Sequence, residues 1–180
     1  TKAGDTSIKL HLKPSETLAE ISEQFDAAVR TAKNETGGGF DNIVGLLKLI
    51  PGLLLRVVVA ILKFMDYFGL LPGFLLEVSP FHGSVFFTSM GSLGIPPIYH
   101  HIYNFGNVPV FVSFGAKRSV VELDKNGTPV DRKYVDYCVV TDERICDGFY
   151  YASAFKLIKK MVENPELLEL PPETVVEDID

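Results

Sequence analysis

Cysteine, clustered basic charge and long uninterrupted apolar runs are scarce in this chain, and each shortage removes a class of function. Only two cysteines, Cys138 and Cys146, occur in 180 residues, too few for a disulfide framework and without the spacing of a metal-ligand set. They are expected to be buried free thiols in a reducing compartment. Residues 1–5 are polar and carry none of the apolar run of a secretory signal, so the expected location is cytoplasmic. Seventeen Lys and Arg stand against 23 Asp and Glu, for a net charge of -6. No basic cluster of the kind that neutralises a phosphate backbone is present, and nucleic acid is not an expected partner. The apolar stretch at residues 43–78 is interrupted by Lys48, Arg56, Lys63 and Asp66, which leaves no run near the ~18 residues that a spanning helix needs. Arg56 and Lys63 share one helical stripe while Leu55, Val58, Val59 and Leu62 share another. The stretch therefore reads as two helices broken at Pro51, packed under the rest of the chain or against another subunit, and not as a membrane segment.

What remains is a chain with 47% hydrophobic residues, enough to build a core. Its expected organisation is one domain over residues 1–165 and an acidic tail over residues 166–180. Residues 7–13 alternate strictly, with Ile8, Leu10 and Leu12 on one side and Lys9, His11 and Lys13 on the other, which predicts a half-buried strand. Ser15 or Thr17 caps the helix that follows, the latter with Glu20 as a capping box, and Leu18, Ile21, Phe25 and Val29 recur at helical spacing up to about Lys33. Residues 36–39, Thr-Gly-Gly-Gly, are a break. A strand over residues 83–91 leads into a glycine-punctuated loop ending at Pro96-Pro97. Further strands are expected at residues 108–114, 120–123 and 133–141, the last two joined at Asp124-Lys125-Asn126-Gly127, where Asn-Gly is a strong hairpin signal. A last helix runs from Phe149 to about Glu163, with Phe149, Ala152, Phe155, Ile158 and Val162 inward, and is stopped by Asn164-Pro165.

Three motifs carry chemistry. Phe87-Thr88-Ser89-Met90-Gly91 resembles the Phe-x-Ser-x-Gly/Asn strand of the coenzyme A-dependent acyltransferases, the superfamily of chloramphenicol acetyltransferase and of the 2-oxoacid dehydrogenase acyltransferases. Residues 94–98 with residues 110–115 are similar to that family's following loop and strand. Residues 139–150, with Cys146-Asp147-Gly148-Phe149, resemble its His-x-x-x-Asp-Gly strand-to-helix turn, except that Glu143 stands where the family has its catalytic histidine. The match spans roughly residues 80–165 and is nearest in style to stand-alone bacterial members without lipoyl domains. The family's first strands and helix have no counterpart, so the expectation is the C-terminal part of the full domain. The implied fold is α/β (α+β), a chloramphenicol acetyltransferase-like mixed or antiparallel sheet with helices packed on one side. The implied assembly is a homotrimer with Glu143 of one subunit facing Ser89 of its neighbour.

The resemblance also implies the reaction: transfer of an acyl group between a thioester, of coenzyme A or a lipoyl group, and a small-molecule acceptor, with no metal. A base takes the thiol proton, the thiolate attacks the acyl carbonyl, and Ser89 hydrogen-bonds the oxyanion. Ser89 has an ordinary alternative as a strand hydroxyl bonded to backbone. Asp147 and Gly148 are structural, the carboxylate accepting backbone N–H groups at the start of the last helix. As a base for a thiol of pKa about 8.5, a carboxylate of about 4.3 faces a gap of about 4 units, against about 2 for histidine. Burial in an apolar channel narrows that gap; otherwise Glu143 caps the turn or pairs with an arginine. His101, with its neighbour His100, is the substitute base, while His82 and His11 are weaker candidates. The alternative function is a relative that has lost its base and serves as a trimeric scaffold or small-molecule-binding protein.

Overall fold

The computed structural model describes residues 7–34, 45 and 47–175 and forms two compact units, one of Thr1–Pro80 with Asp147–Asp180 and one of Phe81–Cys146. Among the described residues it contains four helices and a three-stranded mixed sheet, the α+β class expected. The glycine break at residues 36–39 lies outside the described residues.

In the first unit, helix α1 covers Leu18–Asn34 and starts at the predicted capping box. Thr17 N donates to Glu20 Oε2 at 2.7 Å, and Glu20 N donates to Thr17 Oγ1 at 3.4 Å. These two bonds satisfy two of the amides that every helix start leaves open, and the first, with a further bond from Thr17 Oγ1 to Glu20 Oε2 at 2.8 Å, holds the Glu20 carboxyl below its usual range. The strand predicted at residues 7–13 does not form. Alternation sets two faces, but a strand also needs a neighbour with which to share its ladder, and among the described residues none pairs here. The segment is instead fastened by Lys9 Nζ, which donates to Leu76 O at 2.6 Å. Helices α2, Gly52–Tyr67, and α3, Gly73–Val78, follow Pro51 and Pro72, each proline at a helix start where its missing N–H costs nothing. Along α2 the less exposed apolar positions are Leu55, Val58, Leu62 and Met65; Val59, expected on the same stripe, is exposed at 39%, as are Leu53 and Phe64 at 80% and 60%. The stretch is therefore only partly covered by its own chain. No helix among the described residues is long and apolar enough to cross a membrane.

Helix α4 covers Gly148–Glu163. Its predicted inward stripe is corrected. Phe149 and Val162 are 83% and 74% exposed, and the more covered side is Tyr151, Ala154 and Met161. The helix is apolar around most of its circumference, so spacing alone does not choose between two equally apolar stripes. Asn164 and Pro165 end it, followed by a 3-10 turn at Pro165–Leu168.

The second unit is a sheet of order β1-β2-β3: β1 is Phe86–Ser89, β2 is Val110–Leu123 and β3 is Pro129–Thr141. β1 pairs parallel with β2 from Phe86↔Phe111 to Ser89↔Phe114. β2 and β3 form one long antiparallel hairpin, from Val110↔Thr141 to Leu123↔Pro129, with a bulge between Phe114 and Lys117. The two strands expected at residues 108–114 and 120–123 are thus one strand bent at Gly115. The hairpin that Asn-Gly signals forms, but with a three-residue loop between Asp124 and Thr128 in place of a two-residue turn: Gly127 adopts φ 80° while Asn126 does not take positive φ, and Asp124 Oδ1 accepts from Asn126 N and Thr128 N, both at 2.8 Å. The buried residues of this unit, His82, Val108, Phe111 and Ser113, lie at the three-stranded root.

Candidate active site

Alternation along each strand and pairing between strands fix which side chains share a face. At the root, Thr88, Ser113 and Cys138 occupy one rung and one face, and Phe86, Phe111 and Val140 occupy the next rung of that face. The opposite face carries Ser89, Phe114 and Tyr137, then Phe87, Val112 and Val139.

The first face is covered by residues 96–105. Ser113 is 1% exposed, and its Oγ accepts from Ile98 N at 3.2 Å. Thr88 Oγ1 and His100 Nε2 are hydrogen-bonded at 3.0 Å, and the His100 ring leans on Phe111 with centroids 6.0 Å apart. A hydrogen bond with Cys138 raises the Tyr99 hydroxyl above its usual range. The run Ile98-Tyr99-His100 thus meets all three members of one rung, Ile98 at Ser113, Tyr99 at Cys138 and His100 at Thr88. Gly115 allows the close approach, since a Cβ there would lie 2.5 Å from Pro97 Cδ.

Ser89 lies on the other, open face beside Phe87 and Phe114, whose rings stack at 6.1 Å. Its Oγ accepts from Gly91 N at 3.4 Å, so its own proton remains available for donation. His101 is exposed and sits edge-on to Tyr103 at 5.8 Å. It is His100, its neighbour, that is held against the sheet. His82 is buried and edge-on to Phe105 at 5.5 Å, and His11 is 3.7 Å from Glu77.

Glu143 follows the end of β3. It is exposed and has no hydrogen bond or ion pair among the described residues. The arginine nearest in sequence is taken by another carboxylate: Arg144 donates through Nε to Asp142 Oδ1 at 2.9 Å, which holds Asp142 below and Arg144 above their usual ranges. Glu143 thus has neither the apolar burial of a tuned base nor the arginine partner of its structural alternative. Ser89 shares the Phe114 rung, whereas β3 ends at Thr141 on the Val110 rung, four residues away, or about 13 Å at the ~3.3 Å rise of a strand. One chain does not bring Ser89 and Glu143 together.

Asp147 does what the sequence assigns to it. As N-cap of α4 its Oδ1 accepts from Tyr150 N at 2.9 Å, with Gly148 as the first helical residue. The two cysteines are free but half-buried, not fully buried as expected, and Cys138 belongs to the pinned rung. Among the described residues no group of three or more His, Cys, Asp and Glu side chains is placed to hold a metal.

Comparison with protein-family models and with curated proteins gives no match. The residues must therefore carry the functional reading themselves. Strand parity alone places Thr88 on the face opposite Ser89, but the rung Thr88-Ser113-Cys138 and its hold on His100 need the strand pairing and the folded loop.

Proposed function

We propose that this protein is an acyltransferase-like protein that moves an acyl group between a thioester, of coenzyme A or a lipoyl group, and a small-molecule acceptor. The reading rests on the motifs at residues 87–91 and 139–150 and on the fold they imply, a chloramphenicol acetyltransferase-like sheet. The observation that carries it is Ser89: its hydroxyl stands on the open face, with Gly91 N occupying one lone pair and its proton left to donate. A hydroxyl so placed stabilises the oxyanion formed when a thiolate attacks the acyl carbonyl. Collapse of that intermediate expels the first thiolate, which takes up a proton.

The base comes from a second copy. Glu143 stands clear of Ser89 in its own chain, which is the arrangement a site between the subunits of a trimer requires. Closure of such a site takes the carboxylate out of water and sets it beside the incoming thiol. The exposure of Glu143 in the single chain also favours a second reading, a non-catalytic scaffold or small-molecule binder with the same fold. Thiol release from acetyl-coenzyme A separates the two. Activity lost in both Ser89→Ala and Glu143→Ala supports the enzyme. An inactive wild type that gains activity with Glu143→His supports the scaffold, and absence of activity in wild type and Glu143→His alike rejects the acyltransferase site.

A further inference from the structure

β3 is an edge strand. β2 takes one side of it along the whole of Pro129–Thr141, and among the described residues no strand takes the other. Its outward N–H and C=O groups are a template for another strand. β1 reaches only as far as Phe114, so beyond the bulge β2 and β3 form a two-stranded ribbon, an arrangement marginal in water by itself.

Charged side chains on an edge ordinarily keep other strands away, and their order decides which strands. Two copies of β3 can meet antiparallel only about a two-fold axis perpendicular to the sheet, which keeps the same face up in both and sets one residue opposite itself. An axis at Asp131, Lys133 or Asp136 puts like charges together, which is destabilising for directly opposed residues, and an axis at Arg132 sets Asp131 opposite Lys133 on both sides but faces the two Arg132 side chains with each other. An axis at Val135 pairs no opposite charges. An axis at Tyr134 sets Arg132 opposite Asp136 of the second copy, and Asp136 opposite Arg132 of that copy. It also places Asp131 against Tyr137 and Lys133 against Val135. Within each chain Arg118 already donates to Asp136, and Arg132 Nε lies 3.4 Å from Glu122 Oε2. The junction then runs Arg118, Asp136, Arg132, Glu122 with alternating sign from one copy into the next, and a carboxylate has lone pairs enough for both arginines.

We propose that the β3 edges of two copies pair antiparallel about Tyr134, joining their hairpins into one four-stranded sheet. This contact is independent of the acyltransferase reading. The test combines sedimentation of the wild-type chain over rising concentration with cysteine pairing under mild oxidation. Residues opposite one another across an antiparallel pair have Cα atoms about 4.5–5.5 Å apart, within reach of a disulfide. Tyr134→Cys is expected to give, by mass spectrometry, two copies of the same peptide joined by a disulfide at the substituted position, and Val135→Cys alone to give none. A mixture of Lys133→Cys and Val135→Cys chains is expected to cross-link, which provides a readout that leaves Tyr134 in place. Arg132→Glu is expected to weaken wild-type self-association several-fold. A chain that stays monomeric, a trimer without these cross-links, or equal cross-linking by Tyr134→Cys and Val135→Cys alone would overturn the proposal.

Discussion

Both faces of the sheet root carry aromatic side chains, and one of them is covered by a loop. On the covered face the central rung is polar, Thr88, Ser113 and Cys138, and past the bulge the same side of β3 continues as Asp136, Tyr134 and Arg132. On the open face the root carries Ser89, Phe87, Phe114 and Tyr137, and past the bulge Val135, Val121 and Leu123 stand beside Lys117, Ser119, Lys133 and Asp131; Phe87 is 60% and Val121 is 70% exposed. Apolar area alone therefore does not decide which face is covered, since the covered face also has the rung Phe86, Phe111 and Val140. The covered face is covered because each of its polar groups finds a partner in the loop above or the strand beside it, which removes the cost of burying it. At its root the open face offers the rings of Phe87, Phe114 and Tyr137, with no loop among the described residues bonded over them. It also holds Ser89, so the hydroxyl singled out for chemistry sits where a substrate or second subunit has room to approach.

The largest effect that tests this contrast lies in the loop that covers the first face. Gly106 has φ 82°, and a Cβ on it would lie 2.0 Å from Phe81 O. The left-handed conformation costs a non-glycine residue about 1–2 kcal/mol, and overpacking adds about 1–3 kcal/mol. Gly106→Ala is expected to lower unfolding free energy by the sum of these, read as a shift of the denaturant midpoint at unchanged m-value. A smaller loss comes from Ser113→Ala, which strips Ile98 N of its buried acceptor at a cost of about 1–3 kcal/mol. Thr88→Val, which removes the anchor of His100, is expected to broaden or shift the imidazole resonances of His100 in NMR spectra and to leave those of His101 in place.

The open face gives a sharper outcome. Phe87→Ala removes one stacked ring pair, worth about 0.5–1.5 kcal/mol beyond area, and in a single chain little more, since most of the ring is in water. If a second subunit covers this face, the loss grows with protein concentration and appears also as a fall in oligomer fraction. A Phe87→Ala chain with unchanged stability and unchanged assembly would mean that the face stays open.

Most local elements were legible in the sequence, because each had a short-range cause. The Thr17–Glu20 capping box, the Asn126-Gly127 turn, the Asn164-Pro165 stop and the Asp147 cap depend on residues within a few positions of each other. What was not legible needed long-range partners. Residues 7–13 have a strand's alternation and no neighbour among the described residues, and α4 has two apolar stripes with only tertiary packing to choose between them. The site divides in the same way. Ser89 and Asp147 sit in strand and cap as the motifs imply, but the hold of Thr88 on His100 spans 12 positions and becomes visible only once the loop is folded back over the sheet.

The smallest effect concerns the covered face where the loop no longer reaches it. There Arg118 donates to both oxygens of Asp136, stacks over the Tyr134 ring at 5.2 Å, and Tyr134 Oη donates to Glu122 at 2.8 Å. The hydrogen bond from Arg118 depresses the Asp136 carboxyl in the folded chain, so the stability it contributes is fully present above the unfolded value of about 3.9. That contribution is lost as pH falls through the lower, folded value. Both groups are exposed, and exposed pairs are screened by salt. At low protein concentration, Asp136→Asn is therefore expected to be slightly less stable than wild type at neutral pH, with the difference closing in acid and shrinking in high salt. A difference that persists unchanged into acid would show that the ribbon depends on the shape of this side chain and not on its charge, and the contrast between a face anchored by polar pairs and one left bare would then end at the bulge.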